Sequence, residues 1–182
     1  MNGTVPHRYI QEQITIDHRE LKMRYSSLLT ISLSTFLTLS TMSPSDAAKL
    51  TSNAKKATPT EIKKIYSGKS VFWSKTVGYF KPDGTFLARK KNNNLFVIGK
   101  WKASNGKMCR SGKWFNLKNG KKGSFSNVCM LWMNDSGKFM SIEADKKNKK
   151  SHWSNTELSK LKSGDSVSKK LAKMQQTYNA KF

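Results

Sequence analysis

The covalent chemistry open to this sequence is carried by its two cysteines, Cys109 and Cys129. An even number of cysteines in a small domain indicates a disulfide, and closing a loop of about 20 residues contributes roughly 3 kcal/mol of stability in the chain-entropy model. A redox pair would need a C-x-x-C spacing. A zinc site would need at least two further ligands, but His152 is the single histidine after residue 48. We predict that the two cysteines are bonded to each other and that the chain holds no metal.

Four closely spaced lysines form the densest run of positive charge in the sequence: Lys146, Lys147, Lys149 and Lys150. Clustered charge focuses the electrostatic field, so this run is a candidate anion-binding site. The alternative is a solvated loop that connects the last strand to Trp153.

The acidic residues do not form a catalytic pattern. A glycosidase-like pair such as Glu143 and Glu157 can be imagined, but no local motif supports it. The motifs of serine hydrolases, zinc proteases and phosphate-binding loops are absent. We predict a protein that is not an enzyme and that uses no cofactor.

The net charge of +23 belongs to the part of the chain after residue 48, because the first 48 residues contain equal numbers of basic and acidic side chains. Such a field attracts polyanions, and nucleic acid, an anionic membrane surface and acidic polysaccharide are all candidate partners. No specific nucleic-acid-binding motif is present. A compositional bias toward lysine and asparagine is the alternative explanation, since only Arg89 and Arg110 are arginines in this part of the chain.

The N-terminal third has the pattern of a secretory leader. Residues 23–48 combine Arg24, an apolar stretch and the small residues Ser45 and Ala47, which predicts a signal peptide with cleavage after Ala47. The many serines and threonines disfavour a membrane anchor, the alternative interpretation. Residues 1–22 are then expected to precede the true start, residues 49–57 to form a flexible basic leader, and residues 58–182 to form a single domain that is periplasmic or secreted.

The domain begins with a helix signal and continues as strands. Thr58, Pro59 and Glu61 form a capping-box pattern, and Gly68 marks the end of a short helix. Apolar residues then alternate with polar ones from residue 70 to residue 144, which predicts seven or eight short antiparallel strands in a meander. The expected turns lie at residues 81–84, 92–94, 105–106, 111–112, 119–120 and 136–137.

Residues 128–133 are apolar on both faces, which favours a central strand in a sheet that curls into a small lipocalin-like barrel. Most of the five tryptophans are expected in its core, with a tryptophan-lined ligand mouth as the alternative. From residue 163 onward, Val167, Leu171 and Met174 recur at helical spacing after the capping candidates Asp165 and Ser166. This amphipathic helix is expected to close one end of the barrel; the alternative is docking on a membrane or a partner.

The order of these features resembles a bacterial family of small exported proteins, domain of unknown function 995. The resemblance covers residues 58–168 and rests on the tryptophan, glycine and cysteine positions, including Trp73, Gly78-Tyr79-Phe80, Gly99-Lys100-Trp101 and Cys129. It implies the same fold and compartment, and it carries no catalytic residue over to this chain.

Two functional hypotheses follow from the sequence. The first is association with an anionic polymer or envelope surface through lysine side chains. The second is a lipocalin-like carrier that holds a small apolar ligand inside the barrel. Large aromatic side chains would fill a small barrel, which counts against the second hypothesis.

Overall fold

The computed structural model describes residues 50–146 and 153–182. Its first helix, α1 (Pro59–Tyr66), begins where the capping box predicts. The Thr58 hydroxyl accepts a hydrogen bond from the Glu61 backbone N–H at 3.2 Å, and the Glu61 carboxylate accepts one from the Thr58 N–H at 2.7 Å. These contacts satisfy two backbone donors that the first helical turn leaves unpaired. The helix ends at Tyr66; its C-cap residue is Ser67, and Gly68 follows with a left-handed φ of 73°.

In the described part of the chain, nine strands form one antiparallel sheet. They are β1 (Lys55–Lys56), β2 (Lys69–Phe72), β3 (Thr76–Phe80), β4 (Thr85–Lys90), β5 (Leu95–Ser104), β6 (Lys107–Asn116), β7 (Lys122–Asp135), β8 (Lys138–Glu143) and β9 (Leu161–Ser163). Strands β2 to β7 are neighbours in chain order, as the predicted meander requires. Strand β9 pairs with β2, whereas β1 and β8 both pair with the end of β7.

Five of the six expected turns connect strands, and the expectation for residues 111–112 is wrong. Gly112 lies inside β6, directly opposite Gly99 of β5. A Cβ atom on Gly99 would come 1.9 Å from the Ser111 carbonyl oxygen, and one on Gly112 would come 2.7 Å from the Ile98 carbonyl oxygen. The two glycines therefore allow the backbones of β5 and β6 to approach closely within a continuous hairpin.

A β-bulge interrupts the pairing of β6 with β7. Arg110 pairs with Val128 and Gly112 pairs with Phe125, so two residues of β7 lie opposite one residue of β6. Asn127 in this bulge adopts a left-handed φ of 54°. Because of the extra residue, Phe125 and Val128 lie on the same face although they are three positions apart, and the local twist increases.

The sheet curls into a half-barrel whose concave face packs against α1. The main core joins Ile62, Ile65 and Tyr66 of the helix to buried aromatic residues of the strands, among them Phe80, Trp101 and Trp132. Of the five tryptophans, all of them described, Trp101 and Trp132 are buried, whereas Trp73, Trp114 and Trp153 are half-buried. The predicted mainly β, curled architecture is thus confirmed as a half-barrel.

The chain between β8 and β9 connects the two ends of the curled sheet. A 3-10 helix, Ala144–Lys146, follows β8, and a short helix α2 (Thr156–Ser159) precedes β9. Ser154 pairs with Ser141 of β8 through two backbone hydrogen bonds of 2.8 and 3.0 Å. This segment therefore contacts β8 at one end and β2 at the other.

The C-terminal helix, α3 (Ser168–Lys181), packs on the convex face of the sheet and does not close an end of the barrel. Val167, Leu171 and Met174 are buried against Val77, Leu87 and Phe96. The Asp165 carboxylate accepts hydrogen bonds from the N–H groups of Val167 and Ser168 at the start of the helix, whereas the N-cap position is Val167 and not the predicted Asp165 or Ser166. The apolar side of the helix is covered by the sheet. No helix within residues 50–146 and 153–182 has the length and apolar character needed to cross a membrane.

Residues 50–57 are held against the end of β7. The Thr51 N–H donates to the Asp135 carboxylate at 3.0 Å, and β1 pairs with Met133 and Asn134. Ala57 is fully buried. The basic segment that precedes α1 therefore joins the sheet through β1, and Thr51 is bonded to the end of β7.

The structure contains the predicted disulfide. Cys109 of β6 and Cys129 of β7 are directly opposite each other, and their Cα atoms are 4.1 Å apart. The bond crosses the hairpin close to the β-bulge. It limits the freedom of the unfolded chain across the hairpin that contains residues 119–120.

Replacing Cys109 and Cys129 together by serine should lower the free energy of unfolding by about 2 to 5 kcal/mol. The measurement is urea-induced unfolding of the oxidised wild type and of the double variant, followed by tryptophan fluorescence. Wild-type protein treated with a reductant serves as the control and should lose a similar amount. Equal midpoints and slopes for the oxidised wild type and the variant would contradict the stabilising role.

Candidate functional site

Of the lysine run predicted as an anion-binding site, only Lys146 lies in the described part of the chain. Lys146 lies in the 3-10 helix, and its Nζ is 2.8 Å from the Glu143 carboxylate. Lys147, Lys149 and Lys150 lie outside the described residues. The ion pair offsets the charge of the first lysine in the run.

A different group of lysines comes together on the convex face of the half-barrel, beside the area that α3 covers. In an antiparallel sheet, residues directly opposite each other share a face. By this rule five exposed side chains point outward from three neighbouring strands, and we call them the convex lysine face: Lys100, Lys102, Lys107, Lys113 and Lys122.

The convex lysine face is continuous. Lys100 and Lys102 are two apart on β5, so they lie on the same side of the strand. The register places Lys107 diagonally from Lys102, and Lys113 diagonally from both Lys100 and Lys122. Diagonal neighbours in a sheet are about 7–8 Å apart, within the range of mutual repulsion in water.

No carboxylate of the three described strands β5, β6 and β7 interrupts this face. Strands β5 and β6 contain no acidic residue, and the single acidic residue of β7 is Asp135. Its carboxylate lies at the end of the strand and accepts the hydrogen bond from Thr51. The charges of the convex lysine face are therefore not balanced by acidic residues of the strands that carry them.

The concave face contains a cluster of polar and charged groups around Arg110. The register places Arg110 opposite Trp101 and Val128, so its side chain points to the inside of the half-barrel. The guanidinium carbon lies 4.4 Å from the centroid of the Trp73 ring and 5.4 Å from that of Phe86. Burial lowers the pKa of Arg110, while the neighbouring groups Tyr66, Glu157 and Glu143 oppose this shift.

Glu157 of α2 points into the same region. Only 3 % of Glu157 is exposed, and its two carboxylate oxygens lie 3.3 and 3.4 Å from the Trp73 indole nitrogen, which donates to them. Lys160 Nζ is 3.5 Å from the same carboxylate. Burial raises the pKa of Glu157, whereas the charges of Lys160 and Arg110 and the Trp73 N–H act in the opposite direction.

Two buried donors near this cluster have no hydrogen-bond partner in the described structure: the Tyr66 hydroxyl and the Trp132 indole N–H. Both residues are fully buried, and their ring centroids are 5.8 Å apart. Burial raises the pKa of Tyr66 well above its ordinary value, and the charge of Glu157 raises it further. The Trp132 N–H is close enough to oppose that shift, although the two groups do not reach hydrogen-bond geometry.

Neither Arg110 nor Tyr66 is predicted from the sequence as a site residue, and Glu157 is considered only as a possible partner of Glu143. The structure instead pairs Glu143 with Lys146 and Glu157 with Lys160. One signal could have located Arg110: counting outward from the turn at residues 105–106 places it opposite Trp101 and therefore on the inner face.

Two other features of the described chain carry no ligand chemistry. A surface pocket of about 420 Å³ beside β1 is lined by Lys55, Glu61 and Asn134 among others, but the Glu61 carboxylate already accepts bonds from Thr58 and Asn134. Within residues 50–146 and 153–182, no three His, Cys, Asp or Glu side chains are grouped so that they could hold a metal ion.

Glu157 should make folding less favourable as the pH rises. Its pKa is higher in the folded protein than in the unfolded chain. As the pH rises, the unfolded chain therefore releases this proton first, and the unfolded state is stabilised relative to the folded state. The Glu157→Gln variant lacks this ionisation. Its free energy of unfolding, relative to wild type, should therefore increase between about pH 4 and pH 7 in urea titrations. A difference that stays constant over this range would contradict the raised pKa.

A known family model matches most of the chain. Residues 34–176 match the family described as Protein of unknown function (DUF995). No curated protein and no solved structure gives a significant match. The matched range contains the half-barrel, the disulfide and most of α3, so this chain belongs to the DUF995 family.

Proposed function

We propose that this protein is a binding protein that associates with anionic polymers or an anionic envelope surface through the convex lysine face. The observation that carries the proposal is the continuity of five exposed lysines on one face of β5, β6 and β7. This arrangement replaces the run at residues 146–150 as the main candidate. The curled half-barrel is compatible with a binding role.

The energetics of the convex lysine face support this proposal. Neighbouring like charges repel each other and reduce the stability of the sheet by a small amount for each pair. A polyanion that lies across the strands would remove this repulsion and would release the counterions condensed on the polymer. The face therefore binds more favourably than the same number of dispersed lysines, because focused charge produces a stronger local potential.

We propose that this protein binds a partner and does not catalyse a reaction. The two glutamates considered as a catalytic pair form ion pairs with different lysines. The Glu143 carboxylate is 2.8 Å from Lys146 Nζ, and the Glu157 carboxylate is 3.5 Å from Lys160 Nζ. A carrier of a purely apolar ligand is the second candidate. This second candidate is disfavoured because α1 fills part of the concave face with Tyr66, which packs among aromatic neighbours.

We also propose that the protein is exported and cleaved after Ala47. The leader pattern lies in residues 23–48, outside the described residues. The disulfide between Cys109 and Cys129 supports this location, because such bonds persist in oxidising compartments.

The convex lysine face should dominate the salt dependence of polyanion binding. We expect that changing Lys102, Lys107 and Lys113 together to glutamine weakens binding to a short DNA duplex, used here as a polyanion of known charge density. The slope of log affinity against log salt should become shallower by about 2 to 3, since each lost phosphate contact removes about 0.9. Fluorescence anisotropy at several salt concentrations measures both quantities.

The matched control changes Lys63, Lys64 and Lys91 to glutamine, because these lysines are also exposed but lie outside the convex lysine face. It removes the same charge and should alter the slope by less than about 1. A third variant changes Lys146, Lys147, Lys149 and Lys150. Equal losses of DNA affinity in the first two variants would show that only net charge matters. A larger loss in the third variant would indicate that the binding site is at residues 146–150.

Export can be tested on protein purified from its native host. Mass spectrometry of the intact chain should find an N-terminus at Ala48 or Lys49, with both cysteines oxidised. A chain that retains residues 1–22 and is recovered from the cytoplasm would contradict the proposal.

A further inference from the structure

Part of the concave face is not filled by α1. Around the β-bulge, the inner residues Val97, Trp114, Phe125 and Val128 are only half-buried. The Trp114 ring lies over Gly123, where an added Cβ atom would come 2.7 Å from the indole. The exposed inner surface at this position is therefore apolar and partly aromatic.

Arg110 is the cation of this surface that lacks an ion pair. Of its charged neighbours, Glu157 is paired with Lys160 and Glu143 is paired with Lys146. No carboxylate within residues 50–146 and 153–182 forms a salt bridge with Arg110. Its guanidinium lies over the Trp73 ring, and this contact leaves the N–H groups at its edge able to donate.

The Tyr66 hydroxyl provides a second, independent indication of a ligand. It is fully buried without a hydrogen-bond partner, and it lies in the neighbourhood of Arg110. The Trp132 N–H beside it is also unpaired. Leaving a buried polar group unpaired is unfavourable, so an acceptor group placed near these donors would be stabilised.

From this juxtaposition we propose that the concave face binds an amphipathic anion, with its acidic group at Arg110 and its apolar body against Trp114, Phe125 and Val128. An acidic group satisfies the unpaired guanidinium through charge-assisted hydrogen bonds. An apolar body covers the half-buried inner side chains and removes them from water. This site lies on the opposite face of the sheet from the convex lysine face, and it does not depend on polyanion binding.

Dodecanoate, dodecanol and dodecyltrimethylammonium are suitable probes, since they share an apolar chain and differ in head-group charge. We expect dodecanoate to bind the wild-type protein saturably with one molecule per chain, as measured by calorimetry and by tryptophan fluorescence. Dodecanol should bind at least about ten-fold more weakly, because it lacks the charge that pairs with Arg110. The cationic probe should not bind.

The critical variant is Arg110→Gln, and the matched control is Lys113→Gln. Both remove one positive charge from β6, but Arg110 lies on the concave face and Lys113 lies on the convex face. Dodecanoate binding should weaken by about ten-fold or more in Arg110→Gln and remain within two-fold of wild type in Lys113→Gln. Circular dichroism confirms that each variant is folded.

The comparison of head groups uses only wild-type protein, so the proposal stays testable even if Arg110→Gln does not fold. Equal affinity for dodecanoate and dodecanol would overturn the role of Arg110. Equal losses in the two variants would assign binding to the general positive charge of the protein. Absence of saturable dodecanoate binding would show that Arg110 only supports the Trp73 ring.

Discussion

The contact of Tyr66 with three strands is the interaction on which the shape of the molecule depends. Its ring centroid lies 4.6 Å from Phe80 of β3, 6.4 Å from Trp101 of β5 and 5.8 Å from Trp132 of β7. Alternate strands of a flat sheet are about 10 Å apart, so β3, β5 and β7 reach one side chain only when the sheet curls. The glycines and the β-bulge in β5, β6 and β7 permit this curvature, and the helix α1 occupies the space that it encloses.

Strand β6 shows how one run of alternating residues produces two surfaces of different chemistry. Arg110 points inward to Trp73, where burial and the ring face hold its guanidinium. Lys107 and Lys113 point outward and remain in water. Positive charge thus serves in two ways: as a single, partly desolvated group among aromatic side chains, and as an open array that salt would screen.

The sequence was sufficient to predict the features that depend on neighbouring residues. The cap at Thr58, the turn at residues 105–106 and the pairing of Cys109 with Cys129 all have local or hairpin signals. Features that depend on register between strands were missed. The bulge at Asn127 and the inward direction of Arg110 follow from pairing across β5, β6 and β7. Residues 111–112 are of types that favour a turn, but they lie within a strand. Glu157 could not be placed, because α2 reaches the core only once the sheet has curled.

Among the described strands, β1, β8 and β9 end the sheet; β1 and β9 are short and carry lysines, and β8 is bridged by Ser154. β1 consists of Lys55 and Lys56, and β9 has Lys162 at its centre, with Nζ 5.5 Å from the Phe72 ring. An edge strand offers unpaired backbone groups to any extended chain, and short length and positive charge both oppose such pairing. The same lysines that give the protein its high charge therefore also limit the growth of the sheet by addition of further strands, a protection against aggregation that is built into its edges.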